Sequence, residues 1–123
     1  MPIVADDHYV DGFVMAVPET AKADYRAQAE VFARIMKRHG ALSYTECWED
    51  DVPDGELTSF PLAVKRQPGE KIVFAFITWP SKTVRDAAYE TSMSDPEMEN
   101  DPSKFAWDGK RMIYGGFEVL LSA

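Results

Sequence analysis

A two-layer α+β domain, with one antiparallel sheet and two helices on a single face of it, is the fold this sequence of 123 residues predicts. Three observations point to it. The apolar period switches from two to three-or-four and back along the chain, the switches fall at Pro, Gly and Ser punctuation, and the resulting order is strand, helix, strand, strand, helix, strand. One domain is expected over residues 1–123, because a chain of this length builds one core and hides roughly two thirds of its unfolded surface.

His8 to Val17, HYVDGFVMAV, is rich in β-branched and aromatic residues and is stopped by Pro18, which predicts the first strand. From Glu19 to His39 the apolar residues Ala21, Tyr25, Ala29, Phe32, Ile35 and Met36 recur at helical spacing. Lys37, Arg38 and His39 suit the negative end of that helix, and Gly40 can take the left-handed conformation that closes it. Ala41 to Glu49 alternates as a second strand, followed by an acidic turn-rich loop over Asp50 to Gly55. Leu62 to Arg66 and Lys71 to Trp79 flank Gln67-Pro68-Gly69-Glu70, and a Pro-Gly turn there predicts a hairpin between them. Pro80 breaks the strand, and Ser81 caps a shorter helix through about Ser92 that buries Val84, Ala87 and Ala88. Ser94 to Ser103, with two Asp-Pro steps, reads as an exposed loop holding at most one helical turn. The last strand is expected from Arg111 to Leu121, with Gly115-Gly116 inside it as a bulge or a close backbone contact. This order is the split βαβ pattern of a ferredoxin-like sandwich.

Two helices cover only one face of such a sheet, so its strands should carry one apolar and one polar side. Here both sides are apolar. Ile72, Phe74 and Phe76 alternate with Val73, Ala75, Ile77 and Trp79, and the last strand sets Met112, Tyr114 and Leu120 against Ile113, Phe117, Val119 and Leu121. The economical cover for the second face is the same face of a second copy, which predicts a homodimer; the alternative is that long loops lie over it.

Several stretches carry a resemblance: Tyr9-Val10-Asp11-Gly12-Phe13-Val14, His39-Gly40-Ala41-Leu42 with Tyr44 and Glu46-Cys47, Thr58-Ser59-Phe60-Pro61, and the long run from Asp108 to Glu118. With these the chain resembles, over nearly its whole length, the YbaA-like family of small bacterial proteins. The resemblance implies the dimeric α+β barrel superfamily, whose members include cofactor-free monooxygenases, small isomerases, haem enzymes and haem-free binding proteins. The YbaA-like branch is itself of unknown function, so no catalytic residue is carried over from it. The chain departs from the pattern chiefly by a few extra residues before Tyr9.

Strand alternation singles out the candidate site residues. Asp11 shares a side with Tyr9, Phe13 and Met15, Glu46 with Leu42, Tyr44 and Trp48, and Glu118 with Met112, Tyr114 and Leu120. A carboxylate among large apolar groups is desolvated, which raises its pKa toward the range useful in acid–base catalysis. Asp11, Glu46, Glu118 and the neighbouring Tyr114 are therefore the catalytic candidates, Asp11 first because the first strand should be central. The competing reading makes the acids structural ion pairs with Lys65, Lys110 or Arg111.

Cys47, the only cysteine, is expected as a small buried hydrophobe in mid-strand, and it allows no intrachain disulfide. His8 and His39 lack metal-ligand spacing and axial-ligand context, and no glycine-rich turn feeds a helix, so no metal, haem, flavin or other cofactor is expected. Trp48, Trp79 and Trp107 read as core or interface anchors, with Trp79 and Trp107 also placed to line a pocket mouth.

The net charge of −8 argues against nucleic acid as a partner. No apolar run approaches a membrane span and the N-terminus lacks a leader pattern, so a cytoplasmic protein is expected. Three functions fit. The first is a small-molecule site between sheet and helices performing cofactor-free proton transfer or oxygenation of a hydrophobic substrate. The second is a non-enzymatic dimeric binding or stress-associated module, and the third a structural accessory whose acids hold an interface. An open apolar cleft favours the first two, and a filled interior the third.

Overall fold

The computed structural model describes residues 4–123. Its elements are β1 (Tyr9–Pro18), α1 (Lys22–Arg38, entered through a 3-10 turn at Glu19–Ala21), β2 (Ser43–Trp48), α2 (Phe60–Ala63), β3 (Glu70–Trp79), α3 (Lys82–Ser92) and β4 (Ile113–Glu118). Shorter 3-10 turns lie at Pro102–Lys104 and Gly109–Arg111. The four strands form one antiparallel sheet in the order β2-β3-β1-β4, so β1 is central as expected and β4 is an edge.

The predicted start and stop signals act as read. The Ser81 hydroxyl accepts from the Val84 amide at 3.2 Å, and Gly40 closes α1 at φ +122°, where an added Cβ would meet Val84 Cγ1 at 2.7 Å. Tyr25, Ile35 and Met36 of α1 and Ala88 of α3 are buried against Tyr9, Met15, Ile77 and Trp79 of the sheet.

The expected hairpin is corrected. The turn at Gln67–Glu70 forms, with the Glu70 amide donating to the Gln67 carbonyl and Gly69 at φ +83°, but residues 62–66 are not a strand. Ser59 caps the one-turn helix α2, with Pro61 in its first turn. Both sides of β3 are already taken by β1 and β2, so no edge is left for a hairpin partner. α2 instead sits on the sheet face opposite α1 and α3, where Val64 joins Val14, Ala16 and Ile72 in a small second core.

The rest of that second face is open. Cys47 lies on it, paired in register with Phe74, and is exposed, which corrects the expectation of a buried thiol: mid-strand position fixes alternation but not which face is covered. β4 ends at Glu118, earlier than expected, and Leu120 and Leu121 are exposed beyond it.

Asp95 ties the ends of α1 and α3 together. Its buried carboxylate accepts from the Glu97 amide (3.0 Å) and from Arg38 Nη1 (2.7 Å), with His39 Nε2 at 2.9 Å. The Glu97 amide foremost, then Arg38 and His39, hold this carboxyl at about 2, below the usual 3.8. The unfolded chain therefore takes up this proton first on acidification, and stability should fall as pH drops from about 4 to about 2. Urea unfolding of Asp95→Asn across that window should give a flatter acid limb than the native chain; an identical slope would remove Asp95 from the account.

Candidate functional site

The register of the sheet makes a hollow. Glu46 of β2, Ala75 of β3, Phe13 of β1 and Tyr114 of β4 form one row across the face that carries the helices. Ala75 is the small member of this row. Above it lies a cavity of about 490 Å³, walled by Phe13, Phe32 and Tyr44 and roofed by the segment that carries Met98, Phe105 and Trp107. The roof is pinned to α1: Gln28 donates to the Lys104 carbonyl at 2.6 Å and accepts from the Ala106 amide at 2.9 Å, and Arg34 pairs with Glu97 at 3.0 Å. Trp107 stacks on Phe105 at 4.7 Å and meets Tyr25 edge-on at 5.3 Å.

Glu46 is the one sequence candidate that reaches this cavity as an acid. Tyr25 donates its hydroxyl to Oε2 at 2.6 Å and Tyr44 donates to Oε1 at 2.7 Å. Among the described residues no Lys, Arg or His forms an ion pair with it. Burial pushes the carboxyl up from its ordinary value, and the two tyrosine hydroxyls oppose that only in part. Burial, reinforced by the Glu46 charge, pushes both tyrosines up as well, so each keeps its proton and acts as a donor. Glu46, Tyr25, Tyr44 and Ala29 also border a second, more open groove of about 420 Å³, where Lys22 Nζ lies 5.0 Å from the Trp48 ring centroid. Glu46, Tyr25 and Tyr44 thus form a partition between an apolar chamber and a more open groove with Lys22 on its border.

The other candidates lie apart from it. Asp11 is 2% exposed and fully engaged: Trp79 Nε1, Tyr89 Oη and Arg85 Nη2 each donate to it at 2.8 Å, and Arg85 Nε adds contacts at 3.1 Å. Its ion-pair partner is Arg85 of α3, not Lys65, Lys110 or Arg111; Arg111 is held by Glu70 at 2.7 Å and Asp108 at 3.2 Å. Gly116 faces Asp11 across the sheet, and its missing side chain leaves room for Tyr9 and Arg85. Tyr114 and Glu118 stand exposed on edge strand β4, Tyr114 stacking on Phe13 at a ring distance of 6.4 Å. Trp79 is wholly buried, so of the two tryptophans expected at a pocket mouth only Trp107 lines one.

Sequence reasoning missed Tyr25 and Tyr44 as partners of Glu46, and Arg85 and Tyr89 as partners of Asp11. A signal for the first pair exists: Tyr44 and Glu46 alternate onto one strand side, and a tyrosine on the buried face of α1 needs a partner for its hydroxyl. Among the described residues no group of three His, Cys, Asp or Glu converges as a metal-holding set.

The chain matches the family model described as "Protein of unknown function (DUF1428)" over residues 8–109. It is 52% identical over 113 residues to "Uncharacterized protein YbaA" of Escherichia coli (strain K12), covering 92% of this chain and 97% of that protein, and the same values hold for the Shigella flexneri protein of that name. Among solved structures it is similar to a dimeric ferredoxin-like protein from an uncultured marine organism, with a TM-score of 0.56 and 10% identity over 94% of this chain and 99% of that one. It is similar also to SnoaB, a cofactor-independent oxygenase from Streptomyces nogalater, with a TM-score of 0.52 and 15% identity over 94% of this chain and 95% of that one. These two likenesses establish the ferredoxin-like α+β fold.

Proposed function

The chain belongs to the DUF1428 family, and on that premise we propose that it binds a small, largely apolar molecule in the sheet–helix cavity, where Glu46 takes a proton from it without a cofactor. The observation that carries this reading is a half-buried carboxylate, paired with no cation among the described residues and set in the wall of an aromatic chamber. A volume of about 490 Å³ lies within the range of small-molecule sites, roughly 300–1,000 Å³, which favours ligand binding over a purely structural role. In the step itself the ligand's C–H or O–H bond breaks, its electron pair stays on the ligand, and the proton goes to a Glu46 oxygen. The raised proton affinity of Glu46 suits that task. The resulting anion is electron-rich, and the fold is shared with SnoaB, described as a cofactor-independent oxygenase, which supports oxygenation as a later step in which dissolved dioxygen, as co-substrate, accepts the anion's electrons.

Asp11 serves the fold in this reading, and Tyr114 and Glu118 lie outside the acid–base centre. The working unit is a homodimer joined through the open sheet face, where Phe74, Ile113 and Phe117 are 43%, 44% and 60% exposed. The net charge of −8 speaks against nucleic acid as a partner. No helix among the described residues is long and apolar enough to cross a membrane, and the free, exposed Cys47 suits the reducing cytoplasm.

The test is a thermal-shift screen of aromatic and other hydrophobic metabolites, followed by two variants. A ligand that raises the native melting temperature should lose its effect in Ala75→Leu, which fills the cavity floor. With Glu46→Gln it should still bind, while for a ligand with an acidic C–H the exchange of that carbon-bound proton with solvent deuterium slows by about a hundredfold or more. Stabilisation that persists in Ala75→Leu would put the ligand elsewhere, and unchanged exchange in Glu46→Gln would leave a binding module without proton transfer.

A further inference from the structure

Resting on the reading of Glu46 as proton acceptor, we propose that Tyr25 and Tyr44 are the oxyanion donors of the same site, so that its ligand is a phenol or an enolisable carbonyl compound whose anion carries its charge on oxygen. At rest the two hydroxyls are divided evenly, one to each oxygen of Glu46, at 2.6 Å and 2.7 Å. Once Glu46 has accepted a proton it needs fewer donors and has become a donor itself. The negative charge has moved to the ligand, within the same cavity wall. A phenolic O–H reorients by rotation about its C–O bond while the ring stays in place, so both hydroxyls can follow the charge.

Two other polar side chains of this wall are engaged elsewhere. The Gln28 amide holds the Lys104 carbonyl, and Lys104 pairs with Glu99 at 3.7 Å. An anion with its charge on carbon is a poor hydrogen-bond acceptor, whereas an enolate or phenolate oxygen can accept from both tyrosine hydroxyls. The balance is complete: the ligand's O–H or C–H bond is replaced by an O–H bond on Glu46, and two tyrosine hydrogen bonds to the carboxylate are replaced by two to the ligand oxygen. No electron leaves the pair and no co-reactant is needed. Both tyrosines keep their protons because burial and the neighbouring negative charge disfavour tyrosinate, so they stabilise the anion without taking part as acids.

The probes are 4-nitrophenolate, offered about one unit above the pKa of its phenol, and the uncharged 4-nitroanisole. Glu46→Gln removes the resident charge while leaving both tyrosines, and it should bind the phenolate about tenfold or more tighter than the native chain does. Adding Tyr44→Phe or Tyr25→Phe to Glu46→Gln should each weaken phenolate binding about tenfold, with 4-nitroanisole affinity changed less than about twofold. Should the glutamine variant fail to fold, Glu46→Ala provides the same uncharged background. If 4-nitroanisole binds but the phenolate gains nothing from loss of the Glu46 charge, or is indifferent to both tyrosines, the oxyanion role is overturned and the cavity reading stands. If neither probe binds the native chain or the variants, the cavity reading fails and this inference with it.

Discussion

Asp11→Ala is expected to lower the unfolding free energy by about 3 kcal/mol, as breaking a buried ion pair on one side generally does. The carboxylate sits on a central strand at 2% exposure, and three residues spend their donors on it: Trp79, Arg85 and Tyr89. Removing it strands the indole N–H and the tyrosine hydroxyl in the core, each at about 1–3 kcal/mol. The guanidinium suffers less, because Asp86 also accepts from Arg85 at 2.8 Å and the Tyr9 and Tyr89 rings lie 5.3 and 4.8 Å from its centre. That places the sum at the lower end of the range for buried pairs. Asp11→Asn keeps shape and one acceptor and should fall between the native chain and the alanine variant. Under the reading of Asp11 as a functional acid with only Tyr and Phe around it, the same asparagine substitution would be neutral or stabilising, since a lone carboxylate there gains by losing its charge. The four donors reverse the sign. Urea unfolding decides it, and an alanine variant within about 0.5 kcal/mol of native would show that the cluster does not hold α3 to the sheet.

What could be read in advance follows from which interactions are local. Ser81 and Gly40 act within a turn of their own helix, and the alternation of Ile72 to Trp79 fixes two apolar faces wherever the strand is placed. The hairpin expectation fails for a related reason: Pro68-Gly69 specifies a turn, but pairing is decided by which edges of β3 remain free, and none does. Asp11 and Arg85 stand 74 positions apart, and Arg85 reads in sequence as one more cation on the polar side of a short helix. Glu46 was legible as an acid on an apolar strand face. Its importance relative to Asp11 was not, since that depends on Ala75 opposite it leaving a hollow and on Tyr25 arriving from α1.

The native chain is expected to scatter light as a particle about twice its 13.9 kDa mass, and Phe117→Asp to return it to 13.9 kDa. Phe117 lies on the open face of the edge strand, its ring carbons 3.5–3.8 Å from where side chains would begin on Gly12 and Gly115, which pair with each other across β1 and β4. The ring therefore rests on a bare strip of backbone, with Phe74 and Ile113 exposed on the same face and Phe60 meeting Phe74 at 6.3 Å. Burying one such phenylalanine contributes about 1.5–3 kcal/mol. Two-fold symmetry places every substitution in the interface twice, so the loss reaches about 6 kcal/mol before the cost of the buried aspartates is added. Over the range of about 3–6 kcal/mol this corresponds to a dissociation constant raised roughly a hundredfold to ten-thousandfold. The monomeric variant should keep its circular dichroism, because the cores on the helix side contain no residue from this strip. Phe117→Leu, which keeps an apolar side chain of similar reach, should stay dimeric. A native chain that scatters as 13.9 kDa at every concentration would show that a single copy leaves this face uncovered in water.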